Sequence, residues 1–270
     1  GISGTLTGRK YGFEDTTTDA NRVFTDSAVN VVVIATRHDS HARFTCEAIQ
    51  AGKHVYLEKP LALTRDELAE IQKTYEACTH QNPPPLLMVG FNRRFAPHIL
   101  KMKALLETVH EPKSLIVTVN AGSLPPDHWQ QNVTVGGGRI IGEACHFVDL
   151  MRYLIGHQVV GVQATMMGRH VGVDMPDDKV SFTLKFADGS FGTVHYLGNG
   201  HKAFPKERLE IFCANRILQL DNFRKLTGYG WSGFRKMSFW RQNKGHKEAI
   251  HAFLDAIRQG EASPIPFDEL

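Results

Sequence analysis

Lys59 stands in Glu58-Lys59-Pro60, between an apolar stretch and a proline that restricts the backbone around it. An ammonium held in such a place can polarise a hydroxyl or carbonyl oxygen, or relay a proton. The other role open to it is a structural pair with Glu58. A second group lies far along the chain, in Asp127-His128-Trp129 and in the stretch from Gly136-Gly137-Gly138-Arg139 through Glu143 and His146 to Asp149. Three successive glycines permit a ligand to approach the backbone closely. Glu143, His146 and Asp149 follow at i, i+3 and i+6, nearly one face of a helix. A carboxylate beside an imidazole is an acid/base pair in kind. The same trio has metal-ligand chemistry, but no second cluster completes a site, and no metal is expected.

The elements that position these residues follow from periodicity. Val29 to Thr36 is a continuous β-branched run, the mark of a parallel strand buried on both faces. Asp39-Ser40 offers N-cap chemistry for a helix from His41 to Gln50, closed by Gly52. Lys53 to Leu57 is a second strand. Thr64 with Glu67 forms a capping box for a helix running to about Cys78, and Leu86 to Phe91 is a third strand. Strand and helix alternate, so the first region is a doubly wound parallel sheet. Ligands in such sheets bind beyond the carboxyl ends of the strands. Thr36-Arg37-His38-Asp39-Ser40-His41, Glu58-Lys59-Pro60 and Asn92-Arg93-Arg94 all sit there. After Phe95 one helix leads into long alternating strands at Ser114–Ala121, Val159–Met167, Lys179–Phe186, Ser190–Leu197 and Arg208–Cys213, with Asp188-Gly189 as a hairpin turn. A last helix spans Lys247 to Arg258. The expectation is α/β: residues 1–94 as a partial doubly wound domain, and residues 95–270 as an α+β domain with a large open, mostly antiparallel sheet. No G-x-G-x-x-G turn follows an opening strand. The chain is therefore expected to enter mid-fold, without the first strand, the glycine loop and the second strand.

Composition excludes several classes. Of 270 residues, 42% are hydrophobic and 22% charged, the balance of a globular chain, and a formal charge of +3 with dispersed Lys and Arg gives no nucleic-acid footprint. No apolar run approaches the ~18–20 residues that span a bilayer. Four dispersed cysteines without a CxxC pair suit reduced thiols, and a cytoplasmic protein is expected.

Four segments, Ile34–Ala42, Gly52–Leu63, Gly90–Pro97 and Gly136–Gly156, stand in an order that resembles the glucose–fructose oxidoreductase, inositol dehydrogenase and MocA family. The resemblance implies a Rossmann domain for NAD or NADP, and a second domain whose sheet serves as sugar-site floor and homo-oligomer interface. It implies hydride transfer between nicotinamide and a hydroxyl or carbonyl of a sugar or sugar nucleotide. Lys59 and His146 match the family's catalytic lysine and its acid/base histidine. Thr36, Arg37, His38, His41, Glu58, Pro60, Asn92 and Arg93 match the cofactor side. His128, Trp129, Arg139 and Asp149 fall on the substrate side, and suit a polar ring with an apolar face. Many members carry an aspartate four residues before the histidine; here that position is Gly142. Glu143 is next to it, but one position along a helix turns ~100° away. Without the glycine turn, NAD binding by this chain is expected to be weak or absent. Two rival readings are an NAD-using glycosidase on the same fold, and a non-catalytic sugar- or nucleotide-binding relative.

Overall fold

The computed structural model describes residues 2–168 and 178–270. Strands β1 (Val31–Ile34), β2 (His54–Leu57) and β3 (Leu87–Val89) pair in parallel in that order. Two helices precede them, α1 (Ile2–Tyr11) and α2 (Asn21–Thr25). Helix α3 (His41–Gln50) links β1 to β2, and α4 (Arg65–Cys78) links β2 to β3. Thr64 and Glu67 cap α4 reciprocally, as their spacing predicts. The N-cap expected at Asp39-Ser40 takes another form. His38–Ser40 is a 3-10 turn, and the Ser40 hydroxyl bonds the Arg37 carbonyl and Thr36 Oγ1, so it is turned back on the strand end rather than over α3.

Helix α5 (Pro97–Leu106) leads to the second sheet. Its strands are β4 (Ser114–Asn120), β5 (Val159–Met166), β6 (Lys179–Phe186), β7 (Phe191–Leu197), β8 (Glu207–Cys213), β9 (Arg216–Asp221), β10 (Lys225–Tyr229) and β11 (Lys236–Ser238). They are ordered β11-β10-β9-β8-β4-β7-β6-β5, and only β4 with β7 is parallel. The sheet is thus mixed and mostly antiparallel. Strands β9 to β11 extend it beyond the five that alternation shows. Their hairpins turn on Ala214-Asn215 (φ 46° and 56°) and Asn222-Phe223 (φ 47° and 52°). Left-handed backbone at two successive positions is the hairpin geometry, but neither pair is the Asn-Gly or Asp-Gly that signals it.

Helix α6 (Cys145–Ile155) buries Phe147, Leu150, Met151 and Leu154 against this sheet and ends at Gly156, whose φ of 80° suits glycine. Helix α7 (His246–Gln259) belongs with the other core. Ala249, Phe253, Ala256 and the following Ile265 pack with Val55, Tyr56 and Leu57 of β2. The chain's end, grouped by sequence with the second domain, returns to the first sheet. Phe253 is 1% exposed and meets Tyr56 edge-on at 5.7 Å. Phe253→Ala is expected to cost about 3–5 kcal/mol in urea unfolding; a loss near zero would detach α7 from that core.

Candidate active site at the strand ends

The carboxyl ends of β1, β2 and β3 meet the segment that precedes α6. Lys59 follows β2 and is half-buried; the Lys59–Pro60 bond is cis. Its Nζ donates to the Gly142 carbonyl at 2.5 Å, a link between two residues 83 apart in sequence. That contact joins the two regions at the lysine, and displaces the alternative of a lysine paired with Glu58. The Glu58 carboxyl instead lies over β3's end: a Cβ on Gly90 would come within 3.3 Å of it.

Gly142 and Glu143 lie in a π turn, Ile140–Ala144, that runs into α6. His146, on the first turn of α6, is 6% exposed, and its Nδ1 is buried without a partner. Burial above all, then the charges of Arg93, Lys59, Lys244 and His246, hold its pKa well below the ordinary histidine value. The imidazole is therefore neutral at neutral pH, able to accept a proton.

Glu143 has a different setting. Its carboxylate takes Lys206 Nζ at 2.5 Å, the Tyr196 hydroxyl, and Arg139 at 3.4 Å. Although burial opposes it, Lys206 and these donors hold the Glu143 carboxyl down at about 2. Both oxygens of Glu143 are committed to Lys206, Tyr196 and Arg139, whereas His146 Nδ1 has no partner, so Glu143 stands as a brace and not in the acid/base pair expected of it. The physical reason is the π turn and the ~100° per residue of a helix: Glu143 is carried toward the end of β7, away from His146.

Several residues expected to face ligands are committed elsewhere. His41 is fully buried, its Nδ1 at 2.8 Å from the Pro60 carbonyl and Nε2 at 3.2 Å from that of Thr36, so it ties the ends of β1 and β2 together. Asn92 donates to the Lys244 carbonyl at 2.7 Å. Arg93 grips Glu207 at the start of β8 with two hydrogen bonds, 2.9 and 2.8 Å, both side chains buried. Arg139 spends its guanidinium on the carbonyls of Ala121 and Gly122 and on Asp178 at 2.9 Å. Asp149 receives Arg94 at 2.6 Å, and Arg94 also reaches Glu269. Burial pushes the Asp149 carboxyl up to about 6 against the pull of Arg94, and it remains ionised at neutral pH. These side chains act as braces between segments, although Arg139 Nε and Asp149 Oδ2 stay buried without a hydrogen-bond partner. The partners Glu207, Asp178, Tyr196 and Lys206 were not singled out by sequence; they lie in strands and turns with no local motif, and only the sheet brings them here.

Thr36 and Arg37 stay exposed beyond β1, with Arg37 6.0 Å above the Trp129 ring. His38 is buried and meets the edge of Trp129 at 4.8 Å, while His128 stacks on Trp129 at 6.0 Å. The nicotinamide end of a dinucleotide fits this crevice: strand ends of a doubly wound sheet, an ammonium held by a backbone carbonyl, and a buried imidazole nitrogen without a partner. A groove of about 1020 Å³ lies beside it, walled by Leu61, Leu63, Val148 and Phe182. Pro60 and Cys145 reach it but Lys59 and His146 do not, so that apolar groove is separate from the chemistry.

His38, His98 and His146 are all buried with pKa values below 6.5, burial being the largest cause for each. A histidine kept neutral when folded binds its proton first in the unfolded chain, so stability falls as pH drops below 6.5. The melting temperature is expected to decline from neutral pH toward pH 5, each such group contributing at most about 1.4 kcal/mol per pH unit, and only between its unfolded and its lower folded pKa. A flat profile would contradict it. Glu143 acts lower down: its contribution is complete above 4.5 and is lost as pH falls through about 2.

A family model for an oxidoreductase family with an NAD-binding Rossmann fold matches residues 6–91, and the model for the GFO/IDH/MocA C-terminal domain matches residues 100–219. Myo-inositol 2-dehydrogenase of Thermotoga maritima is 27% identical over 270 residues, covering 95% of this chain and 78% of the relative. Levoglucosan dehydrogenase of Pseudarthrobacter phenanthrenivorans is 30% identical over 221 residues, covering 72% and 55%. A solved levoglucosan dehydrogenase in complex with NADH and levoglucosan superposes with a TM-score of 0.84 at 25% identity, over 99% of this chain and 81% of that one. The N-terminal truncation expected from sequence gains no support here, because the match over residues 6–91 shows the Rossmann domain present. With both domains matched in order, the chain belongs to the GFO/IDH/MocA family of oxidoreductases.

Proposed function

We propose that this protein oxidises a ring hydroxyl of a sugar or cyclic polyol, with NAD rather than NADP as acceptor. The observation that carries the reading is Lys59 Nζ held on the Gly142 carbonyl beside the neutral, partnerless Nδ1 of His146. Lys59 would hold the substrate oxygen as it becomes a carbonyl. His146 would take the hydroxyl proton, which a neutral imidazole can do. When bound, the nicotinamide supplies the hydride acceptor. Glu58 and Pro60 frame Lys59, with Thr36 and Arg37 at the open edge of the crevice. Relatives named for myo-inositol and levoglucosan, and a neighbour named for its NADH complex, support both the substrate class and the cofactor.

The test is NADH formation, followed by absorbance, with myo-inositol, levoglucosan and D-glucose in turn. Stoichiometric NADH with one of them is expected. Cleavage of a glycoside without NADH release would favour a glycosidase, and neither outcome at saturating NAD would sink the reading. The 270 residues contain no G-x-G-x-x-G turn, so we expect this chain alone to bind NAD weakly; micromolar affinity by calorimetry would overturn that expectation. Ile116, Phe191 and Phe212 are exposed apolar side chains of β4, β7 and β8, and we assign that sheet to homo-oligomer contact.

A further inference from the structure

We propose that His38, seated in a notch left by Gly142, is a positioning residue that aims the Lys59 ammonium. The inference rests on the reading of Lys59 as the reacting lysine, and begins from the backbone it is held by. Gly142 offers its carbonyl to Lys59 Nζ at 2.5 Å. The same residue lies under the imidazole of His38. A Cβ built on Gly142 would fall 2.9 Å from His38 Cε1 and 3.3 Å from the Gly136 carbonyl, closer than carbon atoms pack. The ring fits only because position 142 has no side chain.

His38 Nδ1 lies 2.8 Å from the Gly136 carbonyl. A carbonyl only accepts, so Nδ1 carries the proton and the tautomer is fixed. Asp39 N donates to the Val135 carbonyl at 3.1 Å in the next step of the same contact. Two hydrogen bonds from the end of β1 therefore hold the segment that begins at Val135, with the Trp129 ring closing over His38. The segment so held is the one that presents Gly142 O. Lys59 and His41 face His38, and Asp39 adjoins it; burial above all, helped by Lys59 and His41, lowers the ring's pKa against the Gly136 hydrogen bond and Asp39. A neutral ring does not repel the ammonium it helps to aim. A side chain at position 142 would have no room beside this imidazole, so Gly142 and His38 form one device.

The readout is independent of turnover: the acylation rate of Lys59 by N-acetoxysuccinimide at fixed pH, read by peptide mass spectrometry on the full chain. Exposed Lys185 and Lys225 serve as references in the same sample. His38→Leu fills the space without the donor, and should release Lys59 to react about five-fold faster relative to the references. His38→Asn, which keeps an N–H near Nδ1, should return the rate to that of the parent. Gly142→Ala, with His38 intact, should match His38→Leu. In turnover, His38→Leu lowers kcat and leaves the KM for NAD in place. Unchanged Lys59 acylation in His38→Leu overturns the proposal, as does failure of His38→Asn to restore it. If His38→Leu loses the folded circular dichroism spectrum, Gly142→Ala decides by the same criterion. The reading of Lys59 falls separately, if Lys59→Met leaves NADH formation intact.

Discussion

Glu207→Ala is expected to lower unfolding stability by about 3–5 kcal/mol, because it strands the buried Arg93 guanidinium and the partly buried Lys244 ammonium at once. Glu207 is 3% exposed and takes Arg93 in a bidentate grip and Lys244 at 2.5 Å. These charges come from three places in the chain: the turn after β3, the start of β8 and the approach to α7. Arg93 is within the field of His146, so its charge also helps keep that imidazole neutral. Removing the carboxylate leaves both cations desolvated and repelling each other, whereas replacing the pair by apolar groups of similar size removes the cost together with the gain. Arg93→Met with Glu207→Leu should therefore recover the share of the loss due to Arg93, while Lys244 keeps its own. Denaturant midpoints of the two variants check this. NAD affinity, measured by calorimetry, should change little in the double variant, since Arg93 spends Nε and Nη2 on Glu207. A large loss of affinity would return Arg93 to the cofactor side.

Lys59→Met should reduce the rate of NADH formation by about 10²–10³-fold, the range for loss of a donor positioned on the reacting oxygen. KM for NAD should move much less, since a lysine engaged with the reacting oxygen contributes chiefly to the transition state. Lys59→Arg is not expected to rescue. The planar fork of a guanidinium cannot occupy the site of a compact ammonium held 2.5 Å from the Gly142 carbonyl. His146→Gln should lose a similar factor, and the double variant little more than either alone, because the two act on one oxygen. Strict additivity of the two losses would show that they act separately. Glu143→Gln provides the contrast: its carboxylate braces Lys206, Arg139 and Tyr196, so a loss of stability should exceed any direct effect on proton transfer.

The local pattern alone determined the alternation of β1, α3, β2, α4 and β3, the capping box at Thr64, the hairpin at Asp188-Gly189, and the order of the four segments that place the chain in its family. Each depends on near neighbours, where periodicity and turn chemistry act. The reach of the second sheet to β11 was hidden, because the positive φ angles of Ala214-Asn215 and Asn222-Phe223 arise in hairpins whose residues do not announce them. The allegiance of α7 was hidden too, since an amphipathic helix shows that it has an apolar face but not which core receives it.

The candidate site divides along the same line. That Lys59 and His146 bear chemistry follows from residue type and motif. Which of their neighbours face a ligand does not, since Arg93, Arg139 and Asp149 read as free polar groups until residues 114, 39 and 55 positions away meet them. A buried charge must be paired, and the partner can come from anywhere the fold brings close. Glu58-Lys59-Pro60 named the lysine; only the tertiary structure decided that it would rest on Gly142, under a histidine that a side chain at that position would exclude.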